Sequence, residues 1–241
     1  MARLHTDRYT PLRMITVYAL GKAMCRFVHL CCFREVVLHG DRLERPGGFI
    51  LACTHLSHLE PIIVSRRCRR QIDWMARIEF YRYHVIARLL DALDAFPVDR
   101  YGVPVRAIRT AIDRARRGRI VGIFPEGGVA KGSDSVMHGG AFKKGVCVVS
   151  YRSGVPVLPV VMVGTDKLTR VCPWLPFKNA RVWMIVGEPV YPPLDEPRRR
   201  VARELMAREL QARYRDLYFE LCAACGLDEQ TTAGLRVCPV E

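Results

Sequence analysis

Residues 54–61 contain two side chains that can move or hold a proton, His55 and Glu60. The apolar run at residues 49–53 predicts a short buried strand, so His55 falls just beyond the carboxyl end of that strand. Open α/β sheets place their chemistry at this end. A histidine there can act as a general base near neutral pH, and a nearby carboxylate can fix its tautomer. The pair therefore predicts general acid–base chemistry.

The same peptide also has a purely structural interpretation. Ser57 and Glu60 have the spacing of a helix capping box, with Ser57 as the N-cap and Glu60 reaching back from the third helical position. On a regular helix, a five-residue step leaves two side chains about 140° apart. His55 and Glu60 therefore meet only if His55 lies in the turn before the helix. A capping box would supply that turn, so the two interpretations are compatible.

A second turn follows the apolar run at residues 119–124, which predicts another strand. The turn contains Pro125, Glu126, Gly127 and Gly128. Glycines let backbone amides approach a ligand closely, and a nest of amides can hold an anion. Alone, a strand that ends in a Gly-Gly turn is most often only a turn.

Six short blocks between residues 48 and 164 resemble, in order and spacing, the signature of the glycerolipid acyltransferase family, whose members include 1-acylglycerol-3-phosphate acyltransferases. The four signature blocks are His55 with the acid five residues on, residues 96–100, residues 124–127 and residues 155–160, and two further blocks, residues 76–80 and 142–145, lie between them at the expected intervals. The resemblance implies transfer of a fatty acyl group from coenzyme A or acyl carrier protein to a lyso-glycerolipid hydroxyl, with 1-acylglycerol-3-phosphate as the first acceptor. It implies no cofactor besides the acyl donor and no metal.

The resemblance also assigns roles to individual residues. His55 would deprotonate the acceptor hydroxyl, and Glu60 would orient His55. The other predicted residues bind substrate. The resemblance implies that Arg100 binds the acceptor's phosphate, that Glu126 and Gly127 hold the acceptor, and that Pro159 shapes the acyl-donor side. Gly128 and Lys131 are added because they lie in and just beyond the same glycine turn.

Two departures from the family pattern affect the substrate. Most members have aspartate where this chain has Glu60, and the third block usually continues Thr-Arg-Ser, where this chain has Gly128, Val129 and Ala130. Lys131 can supply a point charge but lacks the bidentate fork of arginine. A lyso-lipid with a larger head group, an amine acceptor, and a catalytically silent lipid-binding protein therefore stay open as alternatives.

Charge and hydropathy predict a membrane-surface protein. The 241 residues have 38 Lys and Arg against 24 Asp and Glu, a net charge of +14. No zinc-finger, RNA-binding or basic-zipper pattern accompanies this charge, which favours an anionic membrane surface over nucleic acid as the partner. The arginines of residues 66–70 are expected to contribute. The ten cysteines are expected to be reduced and structural.

Residues 14–33 are mostly apolar, yet Lys22, Arg26 and His29 form a polar stripe along them. This pattern favours an interfacial helix over a membrane span, and a helix docked on the protein's own core is the alternative. No small-residue cleavage site follows the segment, so a secretory signal is not expected. We therefore expect attachment to the cytoplasmic face of a membrane.

The alternation of elements predicts a single α/β domain, residues 35–241, with a mixed β-sheet flanked by helices, and an amino-terminal interfacial element, residues 1–34. Strands are predicted at residues 36–39, 49–53, 72–75, 119–124, 157–163 and 181–186. Helices are predicted at residues 59–66, 82–93, 103–117, 141–152 and 197–225.

Overall fold

The computed structural model describes residues 33–99, 102, 104–166 and 180–227. Seven strands form one sheet: β1 (Phe33–Leu38), β2 (Phe49–Cys53), β3 (Ile72–Arg77), β4 (Phe96–Val98), β5 (Ile120–Ile123), β6 (Val157–Val163) and β7 (Ala180–Val186). Five α-helices accompany them: α1 (Glu60–Arg67), α2 (His84–Ala92), α3 (Val105–Arg116), α4 (Gly145–Ser153) and α5 (Arg199–Cys225).

The sheet is mixed, with the strand order β1-β7-β6-β2-β5-β3-β4. The pair β6 and β7 is antiparallel, and the other neighbouring strands are parallel. Strands β2 to β6 therefore all end at one edge of the sheet, which we call the carboxyl edge. They begin at the opposite edge, which we call the amino edge. This topology confirms the predicted α/β fold.

Both faces of the sheet are covered, which explains why its central strand is apolar along its whole length. Every residue of β2 is buried. Helix α1 and the short 3-10 helix Gly40–Glu44 pack on one face, and α3, α4 and α5 pack on the other. The long helix α5 lays an apolar stripe on the domain, and the Tyr214 hydroxyl donates a hydrogen bond to the Ala52 carbonyl at 2.8 Å. A strand buried on both faces has no polar alternation for a sequence pattern to show.

The predicted elements are found, with one additional strand and two boundaries that differ by more than two residues. Strand β4 was not expected, because it has three residues and contains Pro97, which lacks the N–H that a central strand donates. As the last strand of the sheet, β4 tolerates that loss. Helix α4 begins at Gly145 instead of residue 141, and the Lys143 N–H before it donates to the Pro125 carbonyl at 2.7 Å. Strand β1 begins three residues before its predicted start.

The predicted interfacial helix at residues 14–33 lies outside the described residues, apart from Phe33, the first residue of β1. Within the described ranges, no helix is both long enough and apolar enough to cross a membrane.

Ion pairs and hydrogen bonds hold the loops together near the amino edge. The buried Asp73 carboxylate accepts a hydrogen bond from Arg119 at 2.6 Å and lies 3.1 Å from a guanidinium nitrogen of Arg114. Arg119 also pairs with Asp94 at 2.5 Å. The Arg70 guanidinium donates to three backbone carbonyls, those of Arg45, Gly47 and Gly118.

Candidate active site

Thr54, the residue between β2 and His55, is held in place by two hydrogen bonds to β6. The Thr54 N–H donates to the Val160 carbonyl at 3.0 Å, and the Thr54 hydroxyl accepts the Met162 N–H at 2.9 Å. These bonds continue the ladder between β2 and β6 by one residue. His55 follows immediately, at the carboxyl edge, with only 5% of its surface exposed.

His55 and Glu60 are in contact. The Nδ1 atom of the imidazole lies 3.1 Å from the Oε2 atom of the carboxylate, and Glu60 is fully buried. Glu60 is the first residue of α1, and His55 precedes the helix, which is the arrangement that the five-residue spacing requires. Because a carboxylate can only accept, the contact places a proton on Nδ1 and leaves Nε2 free to take a proton from a substrate.

The predicted capping box is wrong in its register. The N-cap of α1 is Leu59 instead of Ser57, and no side chain caps it. Half of the box forms nevertheless, because the Glu60 Oε1 atom accepts the Ser57 N–H at 2.7 Å. The Ser57 hydroxyl accepts the Leu59 N–H at 3.1 Å, within the turn. Hydrogen bonds within residues 57–60 therefore stabilise the turn, and α1 begins at Glu60, whose carboxylate contacts His55.

The remaining bonds of Glu60 explain how a carboxylate stays buried here. Its Oε1 atom also accepts the Leu56 N–H at 3.2 Å and the Thr165 hydroxyl at 2.5 Å. Thr165 lies just beyond the end of β6, at the carboxyl edge. Three donors on Oε1 compensate for lost hydration and leave Oε2 directed at His55.

A stack of three rings sets the plane of the imidazole. His55 lies on Phe124 with a centroid distance of 4.0 Å, and Phe124 lies on Trp74 at 5.0 Å. The Trp74 indole N–H donates to the Ser65 hydroxyl of α1 at 2.8 Å. Gly122 makes room for the indole, because a Cβ at position 122 would lie 2.4 Å from an indole carbon. One short helix thus holds both the carboxylate beside the imidazole and the far end of the stack.

Glu126 ties the second turn to the first. Its Oε2 atom accepts the His55 backbone N–H at 2.5 Å, and its Oε1 atom accepts the Ser135 hydroxyl at 2.6 Å and the Val136 N–H at 3.1 Å. Burial raises the pKa of Glu126, and the three donors oppose that shift. The sequence predicted that Glu126 holds the acceptor, whereas the structure directs its carboxylate into the protein and onto the backbone of His55.

The glycines of the second turn pack closely on the next block of sequence. Gly127 has a φ of +73°, and its N–H donates to the Phe124 carbonyl at 3.0 Å. A Cβ at position 127 would lie 3.2 Å from the side chain of Lys143. Gly128 is half-buried, and the Ala130 N–H donates to the His55 carbonyl at 2.8 Å. The loop that lacks the family's arginine therefore runs directly beside the histidine.

The other predicted substrate-binding residues are spread around this centre. Lys131 and Val129 are exposed on the loop beside His55. Pro159 is buried within β6 opposite Ala52, and it borders a cleft with Gly187 and Leu217. Arg100 lies outside the described residues. The structure brings His55, Glu60, Glu126, Gly127 and Gly128 together and leaves Pro159 inside the sheet.

Cys53 lies two residues before His55 but is not poised as a nucleophile. Burial raises the pKa of its thiol well above the usual value, and the neighbouring carboxylates of Glu60 and Glu126 raise it further. A thiol attacks as its thiolate, which this environment disfavours. The basic group of the site is therefore the imidazole.

Several residues of the site had not been singled out from the sequence. Thr165 follows a predicted strand at the carboxyl edge, so the reasoning that found His55 could have found it. The stacking roles of Trp74 and Phe124, and the bond from Ser135 to Glu126, have no local sequence signal, because each joins segments far apart in the chain.

Comparison with known proteins identifies the family of this chain. The family model described as Acyltransferase matches residues 35–163. The 1-acyl-sn-glycerol-3-phosphate acyltransferase of Bacillus subtilis is 30% identical over 156 residues, which are 64% of this chain and 73% of that protein. The enzyme of the same name from Borreliella burgdorferi is 25% identical over 139 residues, 57% of this chain and 54% of that protein.

The fold is also shared with a solved structure. The 1-acyl-sn-glycerophosphate acyltransferase of Thermotoga maritima superposes with a TM-score of 0.59 at 24% identity, covering 87% of this chain and 83% of that one. The chain belongs to the Acyltransferase family, as the sequence resemblance predicts, and is an acyl-transferring enzyme of lipid biosynthesis.

Proposed function

We propose that this enzyme transfers a fatty acyl group from a thioester, on coenzyme A or acyl carrier protein, to the free hydroxyl of 1-acylglycerol-3-phosphate. The observation that carries the proposal is the buried contact between His55 Nδ1 and Glu60 Oε2, which leaves Nε2 as the base. The names of the relatives support the choice of acceptor.

In the proposed reaction, Nε2 of His55 takes the proton of the acceptor hydroxyl while the oxygen attacks the thioester carbonyl. A C–O bond forms, the C–S bond breaks, and the thiolate leaves with its electron pair. A thiol is far more acidic than an alcohol, so the leaving group needs little help from an acid. The imidazolium, stabilised by Glu60, returns its proton to solvent or to the thiolate.

Recognition of the acceptor's phosphate differs from the family pattern, because Val129 stands where the family often has arginine. Recognition then falls to Arg100 and to the exposed Lys131, beside the backbone of the turn at Gly128. A lyso-lipid with a larger head group or an amine is the second candidate, and Val129 is the observation that favours it. An apolar side chain has neither a positive charge nor a hydrogen-bond donor with which to bind a phosphate.

We also propose that the enzyme works on an anionic membrane surface at the cytoplasmic face. The arginines of residues 66–70 support this less than their number suggests. Arg66 and Arg67 pair with Glu35, whose side chain is buried, and Arg70 donates to three carbonyls. The excess charge of +14 still favours anionic lipid, but the contacting cations are then elsewhere on the protein.

The test is an acyl-transfer assay with purified protein, labelled acyl-CoA or acyl carrier protein, and a panel of lyso-lipids. We expect 1-acylglycerol-3-phosphate to be used best, Arg100→Ala to raise the acceptor KM while sparing the donor KM, and Val129→Arg to be neutral or to improve the acceptor KM. Robust transfer to another lyso-lipid, with none to 1-acylglycerol-3-phosphate and a loss of activity in Val129→Arg, would replace the acceptor and keep the acyltransferase.

A further inference from the structure

Exposed apolar side chains are concentrated in one short segment. Fourteen large apolar side chains are exposed in the described part of the chain, and six of them lie between residues 78 and 89. Val85 is the most exposed, at 82%. The six are Ile78, Phe80, Tyr83, Val85, Ile86 and Leu89.

This segment stands beside the catalytic histidine. It follows β3, which ends at the carboxyl edge, and β3 is separated from β2 only by β5. Two strand spacings are about 10 Å, so the segment begins about that far from the turn that carries His55. No residue of α2 is buried, so this helix lies on the surface of the domain.

Three further exposed apolar side chains lie at the same edge. Ile62 is in the first turn of α1, Val105 is the first residue of α3, and Val129 is in the loop after β5. Each of these positions comes shortly after the carboxyl end of a strand. We call these three and the six side chains of residues 78–89 the apolar rim. Nine of the fourteen exposed apolar side chains therefore surround the end of the sheet at which His55 lies.

Positive charge accompanies the apolar rim. Arg82, Arg88 and Arg106 are exposed among its residues, and Asp91 is the exposed acid of α2. Apolar side chains flanked by arginines are typical of surfaces that lie in the headgroup region of anionic lipid. A protein partner that matched only the apolar side chains would leave these guanidiniums at the interface without complementary charge.

The amino-terminal segment joins the domain at the same edge. Phe33, the first residue of β1, pairs with Ala180, the first residue of β7, and β7 runs antiparallel to β6. β1 therefore begins at the carboxyl edge. Residues 14–33, which the sequence predicts to lie in a membrane interface, connect there. The attachment point of the predicted interfacial segment is therefore at the same edge as the apolar rim.

We propose that the apolar rim rests on an anionic bilayer, with Val85, Ile86 and Leu89 inserted at the boundary between headgroups and acyl chains. His55 then faces the membrane, and a lyso-lipid reaches it without its acyl chain crossing water. The proposal rests on the proposed lipid acceptor, and it assigns the contact to the carboxyl edge and not to the arginines of residues 66–70.

The first experiment locates the contact by adding one tryptophan at a time to the full chain, which already has three. Val85→Trp is compared with Tyr191→Trp, which is 61% exposed near Val190, the residue that bridges to the start of β6 at the amino edge. Vesicles of phosphatidylcholine and phosphatidylglycerol contain lipids brominated at known acyl positions, and the quenching of the wild-type protein is subtracted. We expect quenching at position 85 and none at position 191.

The second experiment measures the strength of the contact. Val85→Glu with Leu89→Glu is expected to weaken partition onto the same vesicles by about tenfold or more, because two apolar anchors are lost. Tyr191→Glu is expected to leave partition unchanged. Transfer to a short-chain acceptor dissolved below its critical micelle concentration is expected to be equal in all three proteins, which shows that the variants fold.

The outcomes separate this proposal from the proposed function. Absence of quenching at position 85, including the case in which residues 14–33 cover the rim, overturns the docking surface, and so does equal partition of the glutamate variant. Lyso-lipid transfer can remain intact in that case. Quenching at position 85 with no acyl transfer to any lyso-lipid would instead remove the lipid acceptor and leave the membrane contact in place.

Discussion

The two edges of the sheet use charge in opposite ways. At the amino edge, buried and half-buried charges pair with each other, as Asp73 does with Arg114 and Arg119. At the carboxyl edge, the buried carboxylates of Glu60 and Glu126 bind the imidazole and the backbone N–H of His55, and exposed apolar side chains surround them. The net charge of +14 does not show this difference, because it counts arginines such as Arg114 and Arg119 that pair with carboxylates of the same protein.

The two edges are therefore expected to differ in which property a mutation changes, stability or turnover. Groups at the amino edge contribute to the free energy of unfolding, and their loss leaves the chemistry in place. Groups at the carboxyl edge are expected to contribute to turnover more than to stability, because the turns they occupy are also fixed by other bonds. The following variants test this division.

The largest effect is expected for His55→Ala. Loss of a general base costs roughly 10² to 10⁴ in rate, and kcat is expected to fall by that factor. Glu60 keeps its bonds to Leu56, Ser57 and Thr165, so Tm is expected to change little. Turnover near the wild-type value, in a protein whose circular dichroism is unchanged, would remove His55 from the mechanism.

Glu60→Gln is expected to be nearly as severe, with a loss in kcat of roughly 10² or more. The amide retains an oxygen for the Ser57 and Leu56 N–H groups, but its NH₂ group then faces Nδ1 of His55. The imidazole must accept that bond and move its proton to Nε2, which disables the base. Glu60→Asp, the residue usual in the family, keeps a carboxylate and is expected to retain substantial activity. An active glutamine variant would refute the orienting role.

Asp73→Asn tests the other edge. Removing one member of a buried ion pair costs about 3 kcal/mol, because the arginines left behind lose their compensating charge. We expect urea denaturation to report that loss in the free energy of unfolding. Under folding conditions kcat is expected to match the wild type. A variant with normal stability and reduced kcat would show that the two edges are not independent.

A smaller effect is expected for Phe124→Leu. Stacked rings are worth about 0.5 to 1.5 kcal/mol beyond the area they bury, which corresponds to roughly a 2- to 12-fold change. We expect kcat to fall within that range while both KM values stay unchanged, because the ring sets the plane of His55 and contacts no bound group in the proposed reaction. Phe124→Tyr keeps the stack and serves as the control. A rise in either KM would place Phe124 in a binding site instead.

Local pattern was sufficient to predict most of the fold. The apolar run of β2 and the spacing of His55 and Glu60 are short-range features, and the structure confirms both the strand and the contact. The register of α1 was missed because Glu60 takes donors from the turn and from Thr165, which is 105 residues away. The inward direction of Glu126 was missed for the same reason, since its partners belong to three segments that only folding brings together.

Gly122 has a consequence for the mutational tolerance of the enzyme. It is a strand residue in the middle of the core, at a position where a small side chain such as alanine would ordinarily be accepted. Here any Cβ would push on the indole of Trp74, and the indole would push on the two rings behind it, Phe124 and the imidazole of His55. In a saturation scan scored for activity, we expect position 122 to accept glycine alone, although it touches no catalytic atom. A scan scored for abundance would show an intolerant position without revealing that the defect extends to catalysis.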